Sequence, residues 1–114
     1  MEHIMATRSR IAVRNTTDDG FKSVYVHWDG SPDTRMPILN TYWMDESKVR
    51  ELVAGGSVSS LQDTIADTIF YSRDRGEDLV VKENNSFYDL KWNYSSMSEE
   101  YLYVFEDGEW KVYE

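Results

Sequence analysis

Apolar and polar positions alternate over Arg10–Asn15, with Ile11 and Val13 on one side and charged residues on the other. The alternation resumes over Phe21–Trp28, where Val24, Val26 and Trp28 fall on one face and Tyr25 and His27 on the opposite one. Between them runs Thr16-Thr17-Asp18-Asp19-Gly20, all turn formers, so the two segments predict a β-hairpin closed by a loop of about five residues. Asp29-Gly30-Ser31-Pro32 then breaks the pattern. In 33–43 the period changes, because Ile38, Leu39, Tyr42 and Trp43 share one side only if the chain is helical. Proline fits a helix only within its first turn, so Pro37 sets the helix start near Asp33–Met36. Asp45 is a good N-cap for a second helix over 46–54, with Val49, Leu52 and Val53 as its buried stripe and Gly55-Gly56 as its end. Ser57–Gln62 has room for one more short turn.

The C-terminal half predicts strands. Thr68–Ser72, Asp78–Lys82 and Ser86–Tyr94 are short segments rich in β-branched or aromatic residues, with a turn at Glu83-Asn84-Asn85 and a polar break at Ser95–Ser98. The strongest local signal is Tyr101–Glu106, Asp107-Gly108, Glu109–Tyr113, since a two-residue Asp-Gly loop between alternating strands marks a type I′ hairpin. Its register pairs Phe105 with Trp110 and Tyr103 with Val112 on one face, and Leu102 with Tyr113 on the other. The expectation is therefore an α+β fold: an antiparallel or mixed sheet of about five to six strands with two helices packed on one face. Residues 1–114 read as a single domain, with residues 1–5 a flexible N-terminal extension.

Composition narrows the function classes. Twelve Lys+Arg stand against 21 Asp+Glu, a formal net charge of −9, which argues against direct nucleic-acid binding because no basic stripe is present. Cysteine is absent, which removes disulfides and thiolate metal sites and points to the cytoplasm. No apolar run reaches the ~20 residues of a membrane span. Aromatics make up 14% of the chain, more ring surface than a core of this size encloses, and this predicts a homo-oligomer, most simply a homodimer.

Against that acidic background, Tyr71-Ser72-Arg73-Asp74-Arg75-Gly76-Glu77 stands out. Arg73 and Arg75 could form a fork for an anion, with Gly76 letting backbone approach a ligand and Asp74 orienting an arginine or accepting from a base or ribose. The competing reading is a solvated surface turn with local ion pairs. His27, Trp28 and Asp29 lie at a predicted strand end, where His27 and Asp29 could pair and Trp28 or Tyr25 could stack on a base. Against this, Trp28 could belong to the core and His27 to the exposed face. Arg10, at the start of the first strand, completes the set of ligand-binding candidates. No cofactor and no metal is expected: His27 is the only histidine outside the N-terminal extension, and zinc needs several N or S ligands at fixed spacing. No catalytic residue can be assigned, since the chain lacks a nucleophilic cysteine and a G-x-S-x-G elbow. The acidic clusters fall at turns and helix starts, where carboxylates cap backbone donors.

Several segments together resemble a family of small uncharacterised proteins of tailed phages and prophages. They are Met5-Ala-Thr-Arg-Ser-Arg-Ile11, Val24-Tyr-Val-His-Trp-Asp-Gly-Ser-Pro32, Val49-Arg-Glu-Leu52, Gly56-Ser-Val-Ser-Ser-Leu61, Tyr71–Glu77 and the closing Glu100-Tyr-Leu-Tyr-Val-Phe105 with Gly-Glu-Trp-Lys-Val-Tyr. The resemblance implies a phage accessory protein of the host-cell cytoplasm. Joined to the arginine pair, it leads to an expectation of a protein that counters host defence by binding, best met by sequestering a small anionic nucleotide signal such as a cyclic nucleotide. The alternative is an acidic-surface inhibitor of a host nuclease or DNA-binding protein, and a third reading is a small nucleotide-cleaving enzyme.

Overall fold

The computed structural model describes residues 7–96 and 99–114, so the N-terminal extension expected over residues 1–5 and two residues of the expected 95–98 break lie outside the described residues. Strands β1 (Ser9–Arg14) and β2 (Phe21–Val26) form the predicted hairpin. Its loop closes through the Asn15 amide donating to the Gly20 carbonyl at 2.9 Å, while the Gly20 amide donates to Asp18 Oδ1 at 2.7 Å. Helices α1 (Pro32–Tyr42) and α2 (Glu46–Ala54) follow. The Asp45 carboxylate caps α2 by accepting from the Ser47 amide at 2.9 Å. Helix α1 starts at Pro32, where a missing N–H costs nothing, so Pro37 lies past the first turn and not within it as expected.

The remaining elements are β3 (Val58–Ser60), β4 (Ile69–Phe70), α3 (Tyr71–Arg75), β5 (Lys82–Asn84), α4 (Phe87–Ser96), β6 (Tyr101–Glu106) and β7 (Glu109–Tyr113). All strands join one mixed sheet in the order β4-β3-β2-β1-β6-β7, with β5 pairing antiparallel to the first half of β2. Parallel pairing of β1 with β6 sets Ile11 beside Tyr103 and Val13 beside Phe105. The β6–β7 hairpin has the predicted register, with Phe105 opposite Trp110, and Asp107 and Gly108 both at positive φ (53° and 77°), as a type I′ turn requires.

Because side chains alternate along each strand, the sheet has two buried faces. Ile11, Val13, Val24, Val26, Tyr103 and Phe105 pack against Leu39 and Trp43 of α1 and Val49, Leu52 and Val53 of α2. The Trp43 indole is anchored by donating to the Gln62 carbonyl at 3.0 Å, and Trp110 donates to the Trp43 carbonyl at 2.9 Å. Ala12, Phe21, Leu102 and Val104 face the other way, under Leu90 and Tyr94 of α4.

The α+β class with two helices on one face therefore stands, and α3 and α4 are additions. Four local expectations are corrected. Ser57–Gln62 holds strand β3 in place of a short turn, and Thr68–Ser72 is a two-residue strand running into α3. The strand expected over Asp78–Lys82 begins only at Lys82 and takes in Glu83 and Asn84, which read as a turn. Ser86–Tyr94 is helical: the Ser86 hydroxyl accepts from the Asp89 amide at 3.1 Å, and the Asp89 carboxylate accepts in return from the Asn85 amide at 3.2 Å. Reciprocal capping of this kind starts a helix whatever the strand propensity of the rings that follow.

Candidate functional site

The arginine-rich segment is a short helix, α3, closed by Gly76. Arg73 is spent on its own surroundings. Its guanidinium pairs with Asp74 through Nε (2.9 Å) and Nη2 (2.9 Å), donates to the Ile65 carbonyl at 2.9 Å and to the Thr68 carbonyl, and lies over the Phe70 ring. Asp74 also accepts from the Phe70 amide at 2.8 Å, tying α3 to the end of β4. The Arg73 contacts, then that amide, hold the Asp74 carboxyl below its ordinary value. Arg75 is different: its guanidinium stacks over the Tyr71 ring at 5.2 Å and has no ion-pair partner among the described residues. Gly76 ends the helix at φ 68°, its amide donating to the Ser72 carbonyl as in an αL cap, and the Glu77 amide donates to the Tyr71 carbonyl. Nothing lies within 4 Å of where a Gly76 side chain would stand, so the glycine is there for its backbone angle.

The second predicted cluster is only partly assembled. His27 Nδ1 lies 2.5 Å from the Tyr25 hydroxyl and its ring meets Trp28 edge-on, while Asp29 sits at φ 58° and makes no hydrogen bond to His27 among the described residues. Trp28 is on the surface, and its carbonyl accepts from Arg35 Nη2 at 2.7 Å. Arg35 is fully buried, with Nε and Nη1 unpartnered, and desolvation pulls it down to about 10. Arg10 is buried in a bidentate pair with Glu99 (2.8 and 2.9 Å) and donates to Ser23 Oγ at 3.1 Å.

What the structure brings together is a groove that sequence reasoning mostly missed. Two adjoining cavities of about 560 and 270 Å³ share Tyr25, Ser57 and Val80 as a common wall. The wider chamber adds Tyr71, Gly76, Glu77 and Asp78, and the narrower adds Arg8, Arg10, Lys82 and Glu99. Of the predicted set, Gly76 and Arg10 line this groove, and His27 touches it through Tyr25. Arg73, Asp74, Arg75, Trp28 and Asp29 do not line it. The Arg10 and Glu99 charges cancel each other, which leaves Arg8 and Lys82 at one end and Glu77 and Asp78 at the other with no ion pair among the described residues. Tyr25 sits between; its hydroxyl is pushed up by burial, and the nearby Arg8 guanidinium opposes the shift. Arg8 lay in the family-like N-terminal motif and Glu77 in the arginine-rich one, but only the folded structure places them along one groove.

Among the described residues no group of three or more His, Asp or Glu is placed to hold a metal ion, and no helix is long and apolar enough to cross a membrane. No protein-family model matches the chain, and no match was found among curated proteins or solved structures. The likeness to phage proteins accordingly rests on the sequence motifs alone.

Proposed function

We propose that this protein binds a small anionic ligand carrying an aromatic ring, best fitted by a nucleotide signal, and that as a phage accessory protein it counters host defence by withholding that signal. The observation that carries the reading is the presence of two cations, Arg8 and Lys82, with no ion pair among the described residues, lining a groove walled by Tyr25. In a chain of net charge −9, two cations with no ion pair among the described residues attract phosphate locally in a concavity while the bulk of the surface repels it. The larger chamber lies in the range of small-molecule sites, roughly 300–1,000 Å³. The anion end thus moves from the arginine pair of α3 to the strands, because Arg73 is already satisfied. With no catalytic group assigned at the groove, the reading is of a binder and not an enzyme.

The test is to denature the purified protein and identify released small molecules by mass spectrometry, with titration calorimetry of the wild type, Arg8→Ala and Lys82→Ala. A nucleotide released intact, and affinity lost by about 10- to 100-fold in each variant with the melting temperature unchanged, is the expected result. A chemically altered nucleotide would make the protein an enzyme. Variants that bind as the wild type does would remove the groove from the function.

A second reading has its own observation. Tyr88 and Trp92 of α4 are 78% and 61% exposed, one helical turn apart. Such rings suit a protein partner, and favour an inhibitor of a host nuclease or DNA-binding protein if no small molecule is found. Co-purification of one host protein, lost in Trp92→Ala, is the result that reading requires.

A further inference from the structure

We infer that the wider chamber reads the base of the ligand, and that the base is guanine. The inference rests on the nucleotide reading above. The two ends of the groove are chemically opposite, with Arg8 and Lys82 in the narrow chamber and Glu77 and Asp78 in the wide one, none of them in an ion pair among the described residues. A nucleotide has the same polarity, an anion at one end and a ring with N–H groups at the other. The phosphate takes the narrow chamber, so the base falls in the wide chamber beside Tyr71.

That placement brings the base edge to Glu77 and Asp78. Past the αL cap at Gly76 the Glu77 amide donates to the Tyr71 carbonyl at 3.0 Å, so the carboxylates leave the chain from a fixed point next to the ring on which a base would stack. Arg75, stacked on Tyr71 at 5.2 Å, braces that ring. An ionised carboxylate only accepts, and its two oxygens match two adjacent donors. Guanine alone among the common bases presents two, N1–H and the exocyclic N2 amine, side by side. Adenine sets its amine beside a ring-nitrogen acceptor, which a carboxylate repels, and cytosine does the same. Uracil sets its single N–H between two carbonyls.

The experiment is titration calorimetry with guanosine, inosine and adenosine nucleotides, each as the 5′-phosphate and as the 3′,5′-cyclic phosphate, on the wild-type protein and on Glu77→Gln/Asp78→Asn. Guanine is expected to exceed adenine by about tenfold or more in the better-bound series, the lower end of what one bidentate pair confers. Inosine, which lacks the exocyclic amine, should fall between. In the double variant the guanine preference should collapse toward one while the melting temperature holds, because both side chains are exposed. Equal binding of guanine and adenine nucleotides, or a preference that survives the double variant, overturns the base reading and leaves the nucleotide reading standing. Failure of every nucleotide to bind overturns both.

Discussion

At the scale of single residues, the chain sorts its arginines by what already satisfies them. Arg10 and Glu99 are a buried pair joined by two hydrogen bonds, with side chains only 4% and 0% exposed. Taking the charge from one partner strands the other away from water, so Glu99→Gln should cost about 3–5 kcal/mol in a urea melt. Arg73 ties Asp74 to the carbonyls of 65 and 68, whereas Arg75 only stacks on a ring. Arg73→Ala should therefore lower the melting temperature and Arg75→Ala should leave it in place, the reverse of two equal ligand-binding arms. The same contact has a pH signature. Asp74, Asp18 and Asp45 are all held below the ordinary 3.8, by Arg73, by the Asn15 side chain and by the Ser47 side chain respectively. A depressed folded-state value means that the unfolded chain binds protons first as pH falls. The stability these groups give is complete above their ordinary value and is lost below about pH 4. Thermal melts between pH 3 and 6 should show a decline confined to the acid end, smaller in Asp74→Asn. The arginines were visible in sequence; which of them is spent was not, because the acceptors of Arg73 are backbone carbonyls whose path depends on tertiary structure.

At the scale of elements, local signals succeeded where backbone geometry decides and failed where side-chain propensity alone was used. The Asp107-Gly108 hairpin was legible because its turn needs positive φ at both positions. The second helix was legible from its cap and its stripe, and Val49, Leu52 and Val53 are its buried residues. Leu52 is fully enclosed, so Leu52→Ala should cost about 2–4 kcal/mol by chemical denaturation, and a loss under about 1 kcal/mol would place the helix outside the core. Helix α4 was misread as a strand because its aromatic residues favour sheets. Two signals in the chain opposed that: Ser86 and Asp89 at capping-box spacing, and Phe87, Leu90 and Tyr94 at helical intervals. Strand β3 was missed for the opposite reason. Three residues are too few to show a period, and they are strand only because β2 pairs with Val58 in parallel and β4 pairs beyond.

At the scale of the whole molecule, the pairings that build the groove join residues far apart in sequence, such as β1 with β6 and β2 with β5. No local pattern encodes such neighbours, so the sheet class could be read but the site between its strands could not. The excess of rings is a different matter: the aromatic load predicts ring surface left over, and of the exposed rings Trp28, Tyr42, Tyr88 and Trp92, the two most exposed lie on α4. Tyr88 and Trp92 flank a depression of about 390 Å³ that Lys91 and Glu114 also line. A patch holding one cation and one anion beside two rings suits an isologous contact, in which Lys91 of each copy would be placed against Glu114 of the other. A homodimer through this face is the expected assembly in light scattering, and Trp92→Glu should return the chain to a monomer without changing its fold. Two copies of net charge −9 repel each other, while the paired charges act at contact distance. Raising salt from about 10 mM to 150 mM shortens the screening length from about 30 to 8 Å and weakens the long-range repulsion more than the contact pairs. The dimer fraction should therefore rise over that range. A monomer at every concentration and salt would refute the interface, and a dimer untouched by Trp92→Glu would move it off α4.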